Sequence, residues 1–246
     1  MYFYNTKHLK NVLPENFMAL DLYLLRHGEV GHNVVENMSE SDLILGRSNS
    51  VPLSSRGEKQ ADALGYRFSL DGTSFDEIHS STALRARDTC ERVCAKIGFP
   101  FNKVIFSDSL LEQSQGTWEN KKRKDVYTRE VLDKITEMHV DFCAPSGESQ
   151  RMTAERGYSY IVGNFLDKKP EKDLKVAIFT HGMVKRGILW KILDSDPKLI
   201  YRYAIENCSI TQVKYSFNGP HHGWHLVRVN DASHLELVGF KENSFV

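Results

Sequence analysis

Two apolar runs in the chain end alike: residues 20–25 lead into Arg26-His27-Gly28, and residues 174–180 lead into His181-Gly182. Short, largely apolar runs of this kind predict strands buried on both faces, as in a parallel sheet. Weaker strand patterns lie at 75–79, 104–106, 210–215 and 224–229, the last two alternating as a half-covered edge would. Helical spacing separates them. One helix is expected from Ser55, whose distance to Glu58 fits a capping box, with Ala61, Leu64 and Phe68 on one face. A second uses Ala86, Cys90, Val93 and Ile97 and stops at Gly98, with Pro100 beyond. A third starts near Glu148 and carries Tyr158, Ile161, Phe165 and Leu166. A fourth follows Gly182 through Val184, Ile188, Leu189 and Ile192.

Alternating strands and helices predict an α/β fold, a three-layer sandwich with a mostly parallel central sheet of about six strands and helices on both faces. The 246 residues suit one domain over 20–246 behind an N-terminal extension, 1–19. The stretch 113–147 is polar, lysine-rich and only partly periodic, with one helix expected over 125–138. It reads as an insertion over the carboxyl edge of the sheet.

Composition narrows the class of partner. Lys plus Arg and Asp plus Glu are 32 each, so the broad positive field of a nucleic-acid or anionic-membrane binder is missing. Any anion must be recognised locally. No stretch has signal-peptide or membrane-spanning apolar length, which makes the cytoplasm the expected location. Cys90, Cys94, Cys143 and Cys208 include no C-x-x-C pair and are expected as free thiols. His221, His222 and His225 lack a cysteine or carboxylate at ligand spacing, so a strand entered through a turn at Asn218-Gly219-Pro220 is the better reading than a metal site. The run Lys121-Lys122-Arg123-Lys124 reads as a solvated face rather than a clamp for a second anion.

Ligands of open α/β sheets bind where strands end at their carboxyl edge. Both His-Gly pairs fall there. The strand over 75–79 delivers Arg85 to the same edge, and the strand over 104–106 delivers Glu112. Two histidines, two arginines and a carboxylate suit phosphoryl transfer, which consists largely of positioning and charge neutralisation. Arginine forks grip phosphate oxygens in pairs, a neutral imidazole can attack phosphorus, and a glutamate can protonate the leaving oxygen and later deprotonate water.

These residues also stand in a familiar order. Leu25-Arg26-His27-Gly28-Glu29 with Asn33, Gly46-Arg47 with Pro52-Leu53 and Gly57, Ser81 with Arg85-Ala86 and Thr89, Leu111-Glu112 with Gly116 and Trp118-Glu119, Gly147-Glu148-Ser149, and His181-Gly182 resemble the motifs of the histidine phosphatase superfamily. The resemblance spans about 20–234. It implies that His27 is the phosphorylated nucleophile, that Arg26, Asn33, Arg85 and His181 form the phosphate pocket, and that Glu112 is the proton donor. Ser149 and the backbone after Gly182 are implied as supporting contacts, and no metal or other cofactor is implied. Val30, Thr82 and Ser146 depart from residues common at their positions, which bears on substrate fit rather than chemistry.

The resulting expectation is a metal-independent phosphatase that hydrolyses a small-molecule phosphomonoester through phosphohistidine. A phosphoglycerate mutase is the first alternative. In such mutases arginine, histidine and tyrosine usually follow the matching glutamate, where this chain has Gln113, Ser114 and Gln115, and the span from His27 to His181 is shorter than theirs. A catalytically silent phospho-ligand module is the second alternative, disfavoured because every principal site position is kept.

Overall fold

The computed structural model describes residues 18–30, 43–236 and 239. Six strands form one sheet, β1 (Ala19–Arg26), β2 (Glu77–Ser81), β3 (Ile105–Ser107), β4 (Leu174–Thr180), β5 (Ile210–Ser216) and β6 (Gly223–Asp231), in the order β3-β2-β4-β1-β5-β6. The strands from β3 to β1 run parallel, while β5 pairs antiparallel with both β1 and β6.

Helices cover both faces because the two central strands are apolar on both. Leu20, Leu22 and Leu24 of β1, with Val176 and Ile178 of β4, pack under α5 (Gln150–Ile161) and α6 (Gly182–Leu193). The alternate residues, Tyr23 and Leu25 with Ala177 and Phe179, face α1 (Ser55–Leu70) and α2 (Leu84–Ile97). All but Tyr23 of these strand side chains are at 0 % exposure, and burying each large one contributes roughly 2 kcal/mol. The register then sets the site: Arg26 pairs with Thr180, so His27 and His181 leave adjacent strands at the same height.

Several local expectations need correction. The cap of α1 is Ser54, not Ser55; its Oγ accepts from the Gly57 amide at 2.9 Å and donates to the Glu29 carboxylate at 2.8 Å. Strand β5 is no edge: Ile210, Thr211, Gln212 and Val213 are buried between β1 and β6. Its polar positions face partners, since Gln212 bonds Asp21 and Tyr23. The helix expected over 125–138 is two pieces, α3 (Arg123–Val126) and α4 (Arg129–Met138), because the Thr128 hydroxyl accepts from the Val131 amide and starts a new helix. The third helix starts later than Glu148, after the Ser149 cap, and continues into a π-helical turn over Val162–Leu166.

The segment 113–147 is tied to the loop at 43–48. Leu43 bridges to Lys122, the Ile44 amide donates to Lys121, and the Asn120 amide donates to Ile44. Ser146, in the place of a commoner glycine, holds a left-handed φ of 62°, a conformation in which glycine would be unstrained.

Candidate active site

A cavity of about 440 Å³ opens at the carboxyl edge of the sheet. Arg26, His27, Arg85, Glu112 and Gly182 all line it, and His181 is buried beside it with its ring centroid 5.0 Å from that of His27. Asn33, the remaining expected pocket residue, lies outside the described residues.

The last residue of β1 and the loop after it fix His27. Its amide donates to Thr180 at 3.1 Å, and its carbonyl accepts from Asn207 Nδ2 at 2.9 Å. Ring atom Nδ1 lies 2.7 Å from the Gly28 carbonyl oxygen. A carbonyl only accepts, so Nδ1 carries the proton and Nε2 keeps its lone pair. Burial, with Arg85 and Arg26 adding to it, holds the ring well below the ordinary histidine range. The imidazole is therefore neutral at physiological pH and nucleophilic at Nε2. The loop needs Gly28 and Gly57, since a Cβ on either would run into the backbone of the other's segment.

His181 caps α6 by position, and its Nε2 lies 2.8 Å from Ser81 Oγ at the end of β2. Ser81 Oγ also accepts from the Ala83 amide at 3.3 Å, so the hydroxyl joins the ring to the start of α2. Among the described residues the ring's buried Nδ1 has no partner, nor has Arg26 Nε. Unmatched buried polar atoms of this kind mark a place built for a ligand from outside. Burial, then Arg85, press His181 well below its ordinary range too.

Arginine placement is equally deliberate. Arg85, from the first turn of α2, is 2 % exposed and donates to the carbonyls of Ser48 at 2.7 Å and Gly46 at 3.1 Å. Thr89, one turn on, accepts from the Gly28 amide and donates to the Arg85 carbonyl, tying the two loops together. Arg26 donates through Nη1 to the Ile205 carbonyl at 2.7 Å. Glu112 is held by two amides, Gln113 N at 2.9 Å and Met183 N at 3.2 Å, the second from the first turn of α6.

Behind Glu112 stands a hub that the sequence reading noted only as part of a motif. Glu148 binds the Arg156 fork at 2.9 and 3.0 Å and Arg47 at 2.7 Å. Burial would raise its carboxyl, yet Arg156, the Ser114 amide and Arg47 hold it below the usual carboxylate range. Both arginines also donate to the Glu112 carbonyl, Arg47 at 3.1 Å and Arg156 at 3.3 Å. Ser149 does not line the cavity; its Oγ caps α5 by accepting from Met152. Arg156, Asn207 and Arg186 gave no signal in the sequence, because each is an isolated polar residue whose partner is distant along the chain.

The cavity's outer wall brings in Arg123 of α3, Tyr127, Arg186 of α6 and Tyr201. Arg123, expected on a solvated face, thus borders the site. The histidines at 221, 222 and 225 sit in the hairpin before and within β6, where His222 meets Tyr215 and His225 meets the His221 carbonyl. Among the described residues no cluster of His, Cys, Asp or Glu could hold a metal ion, and no helix is long and apolar enough to cross a membrane.

The family description "Histidine phosphatase superfamily (branch 1)" matches residues 22–232. The probable phosphoglycerate mutase GpmB of Cronobacter sakazakii is 27 % identical over 231 residues, covering 91 % of this chain and 98 % of its own. A phosphoglycerate mutase of Schizosaccharomyces pombe is 30 % identical over 174 residues, 68 % of this chain and 77 % of its own. Among solved structures, the mycobacterial glucosyl-3-phosphoglycerate phosphatase superposes with a TM-score of 0.70 at 21 % identity, covering 86 % of this chain and 99 % of its own. The phosphoserine phosphatase of Entamoeba histolytica superposes with a TM-score of 0.69 at 21 % identity in its complex with 3-phosphoglyceric acid, covering 88 % and 99 %. The chain belongs to the histidine phosphatase superfamily, branch 1.

Proposed function

We propose that the protein is a metal-independent phosphomonoesterase. The observation that carries this reading is the pinned, neutral His27, its proton fixed on Nδ1 by the Gly28 carbonyl and its Nε2 open to a cavity lined by Arg26 and Arg85. In the first step Nε2 attacks phosphorus while the ester P–O bond breaks, and Glu112 gives its proton to the departing alkoxide. Arg26, Arg85 and the Nδ1–H of His181 neutralise the phosphoryl oxygens, and the site role of Asn33 belongs to the same proposal. Phosphorylated His27 is an imidazolium, and the Gly28 carbonyl stabilises its remaining N–H. Glu112, now a carboxylate, takes a proton from water, whose oxygen displaces His27 from phosphorus. The two guanidinium groups supply the positive charge that a metal cation supplies at other phosphoryl-transfer sites.

The cavity also suggests the kind of ester. Arg123 and Arg186 exceed what one phosphoryl group needs, and Tyr127 and Tyr201 lie beside them. A small phosphoester bearing a second anionic group fits that wall, and a phosphatase of the same fold has been solved with 3-phosphoglyceric acid.

His27→Ala decides the central point: it should abolish phosphate release from every ester the wild type cleaves, and full retained turnover would sink the reading. The mutase reading is favoured by the names of the two relatives at 27 % and 30 % identity. Product analysis separates them, because a mutase yields isomerised phosphoester with little free phosphate. Gln113 and Gln115 on the cavity wall support hydrolysis, since they add no charge with which to keep an intermediate for return transfer. We place the enzyme in the cytoplasm.

A further inference from the structure

Lys185 lies one turn into α6 and is wholly buried. Lysine is almost never fully buried unless paired, yet among the described residues no carboxylate meets it. Its Nζ donates instead to the carbonyl oxygen of Ser209 at 2.9 Å and to Ser209 Oγ at 3.1 Å. An apolar side chain would suit this position between Val184 and Ile188 far better by transfer free energy alone. Two bonds to one residue therefore call for a reason.

The reason is what Ser209 belongs to. Its amide donates to the Glu206 carbonyl at 3.2 Å, closing a turn in which Cys208 takes a left-handed φ of 54°. A cysteine keeps that conformation only where its surroundings hold it there. The turn in turn holds the end of β1. The Ile205 carbonyl accepts from Arg26 Nη1 at 2.7 Å, Asn207 Nδ2 donates to the His27 carbonyl at 2.9 Å, and the Cys208 amide is shared between the carbonyls of Arg26 and His27 at 3.1 and 3.3 Å. Lys185 reaches this turn from the helix that begins beside His181, and its own amide donates to the His181 carbonyl at 3.1 Å. One side chain thus links the strand end bearing His27 to the helix start bearing His181.

Charge fits the same role. Burial, with Arg26 adding to it, pushes the Lys185 amine well below the ordinary lysine range. Ser209 offers two oxygens, and Nζ donates to both.

We propose that Lys185 is a positioning residue for phosphoryl transfer, clamping the Glu206–Ser209 turn onto α6 and so fixing the Arg26 fork and the His27 ring relative to His181. This rests on the phosphatase reading above. Displacement of a reacting group by about 1 Å costs on the order of a hundredfold in rate, so the clamp acts on kcat more than on overall stability.

The test compares Lys185→Met, which keeps the length and loses the donors, with Ile188→Ala, a cavity-forming change at an equally buried position of the same helix. Both are assayed with p-nitrophenyl phosphate and by thermal unfolding. Lys185→Met should lower kcat at least tenfold with KM moving by less, while Ile188→Ala lowers the melting temperature and leaves kcat within twofold. Equal losses of kcat for equal losses of melting temperature would overturn the proposal, as would wild-type kcat and KM in Lys185→Met. Should Lys185→Met not fold, Ser209→Ala decides: kcat down at least threefold supports the clamp, and an unchanged kcat removes it. A wild-type protein without His27-dependent turnover ends the phosphatase reading and this inference with it; a His27-dependent enzyme indifferent to Lys185 ends only this inference.

Discussion

The Oγ of Ser81 and the Nε2 of His181 meet at 2.8 Å at the ends of neighbouring strands, in a contact with no exposure to water. Ser81 also accepts from the Ala83 amide, so one hydroxyl anchors the His181 ring to the end of β2. Partners that orient a functional histidine are commonly worth roughly ten- to a hundredfold or more. Ser81→Ala should therefore lower kcat by about tenfold or more in a folded protein, with steady-state kinetics and far-UV circular dichroism as the measurements. An unchanged kcat would show that ring orientation is set elsewhere.

Glu112 is proposed to act twice, so Glu112→Gln should separate substrates by leaving group. Alkyl phosphates need a proton on the departing oxygen and should slow by roughly 100- to 10,000-fold. An aryl ester such as p-nitrophenyl phosphate leaves unaided, and its first step should be much less affected. Water attack then lacks its base, and acid-labile phosphate should accumulate on His27. Quench experiments with radiolabelled ester read this directly; equal slowing of both ester classes with no trapped phosphate would remove the acid role.

Stability should fall as the solution is acidified from pH 7. Burial holds His27 and His181 well below their ordinary range, lowers His79, and pushes His234 down to about 4. In the unfolded chain each takes a proton near pH 6.5, while the folded protein refuses it. Unfolding then binds protons, and each group removes about 1.4 kcal/mol per pH unit between 6.5 and its own folded value. For His234 that window closes near pH 4, a loss of about 3 kcal/mol in all. Urea unfolding at pH 7, 6 and 5 measures the slope, and a flat profile would mean that these rings titrate freely when folded.

Arg186 tests the second-anion wall. Its Nε is engaged by the Tyr203 carbonyl at 2.9 Å, which aligns the fork, and the side chain borders the cavity. Wild-type enzyme should prefer 3-phosphoglycerate to glycerol 3-phosphate in kcat/KM, and Arg186→Gln should cut that preference by roughly tenfold, the worth of one charge-assisted bond. A ratio untouched by the substitution would place substrate selection elsewhere.

The linear sequence carried the layered architecture because strand and helix leave periodic marks. The largely apolar runs of β1 and β4, each broken by one charged residue, Asp21 and Lys175, are buried on both faces, and the stop at Gly98 coincides with a left-handed φ of 72°. It also put His27, Arg26, Arg85, Glu112 and His181 at one edge of the sheet, where the structure brings them together, since each ends a strand or trails one closely. Where neighbours compete for one role the pattern fell short. Ser54 and Ser55 are equal as caps on paper, and only the path of the Glu29 loop selects Ser54. β5 alternates like an edge strand, yet β6 covers it.

What tertiary structure alone decided is how the chemistry is aimed. The Gly28 carbonyl chooses the protonated nitrogen of His27, Ser81 holds the ring of His181, and Glu148 with Arg47 and Arg156 fixes the backbone of Glu112. Lys185 meets Ser209 across 24 positions of sequence. Such pairings leave no period and no spacing in the chain, because hydrogen bonds between distant polar groups are specified by where packed elements bring them, and by nothing local.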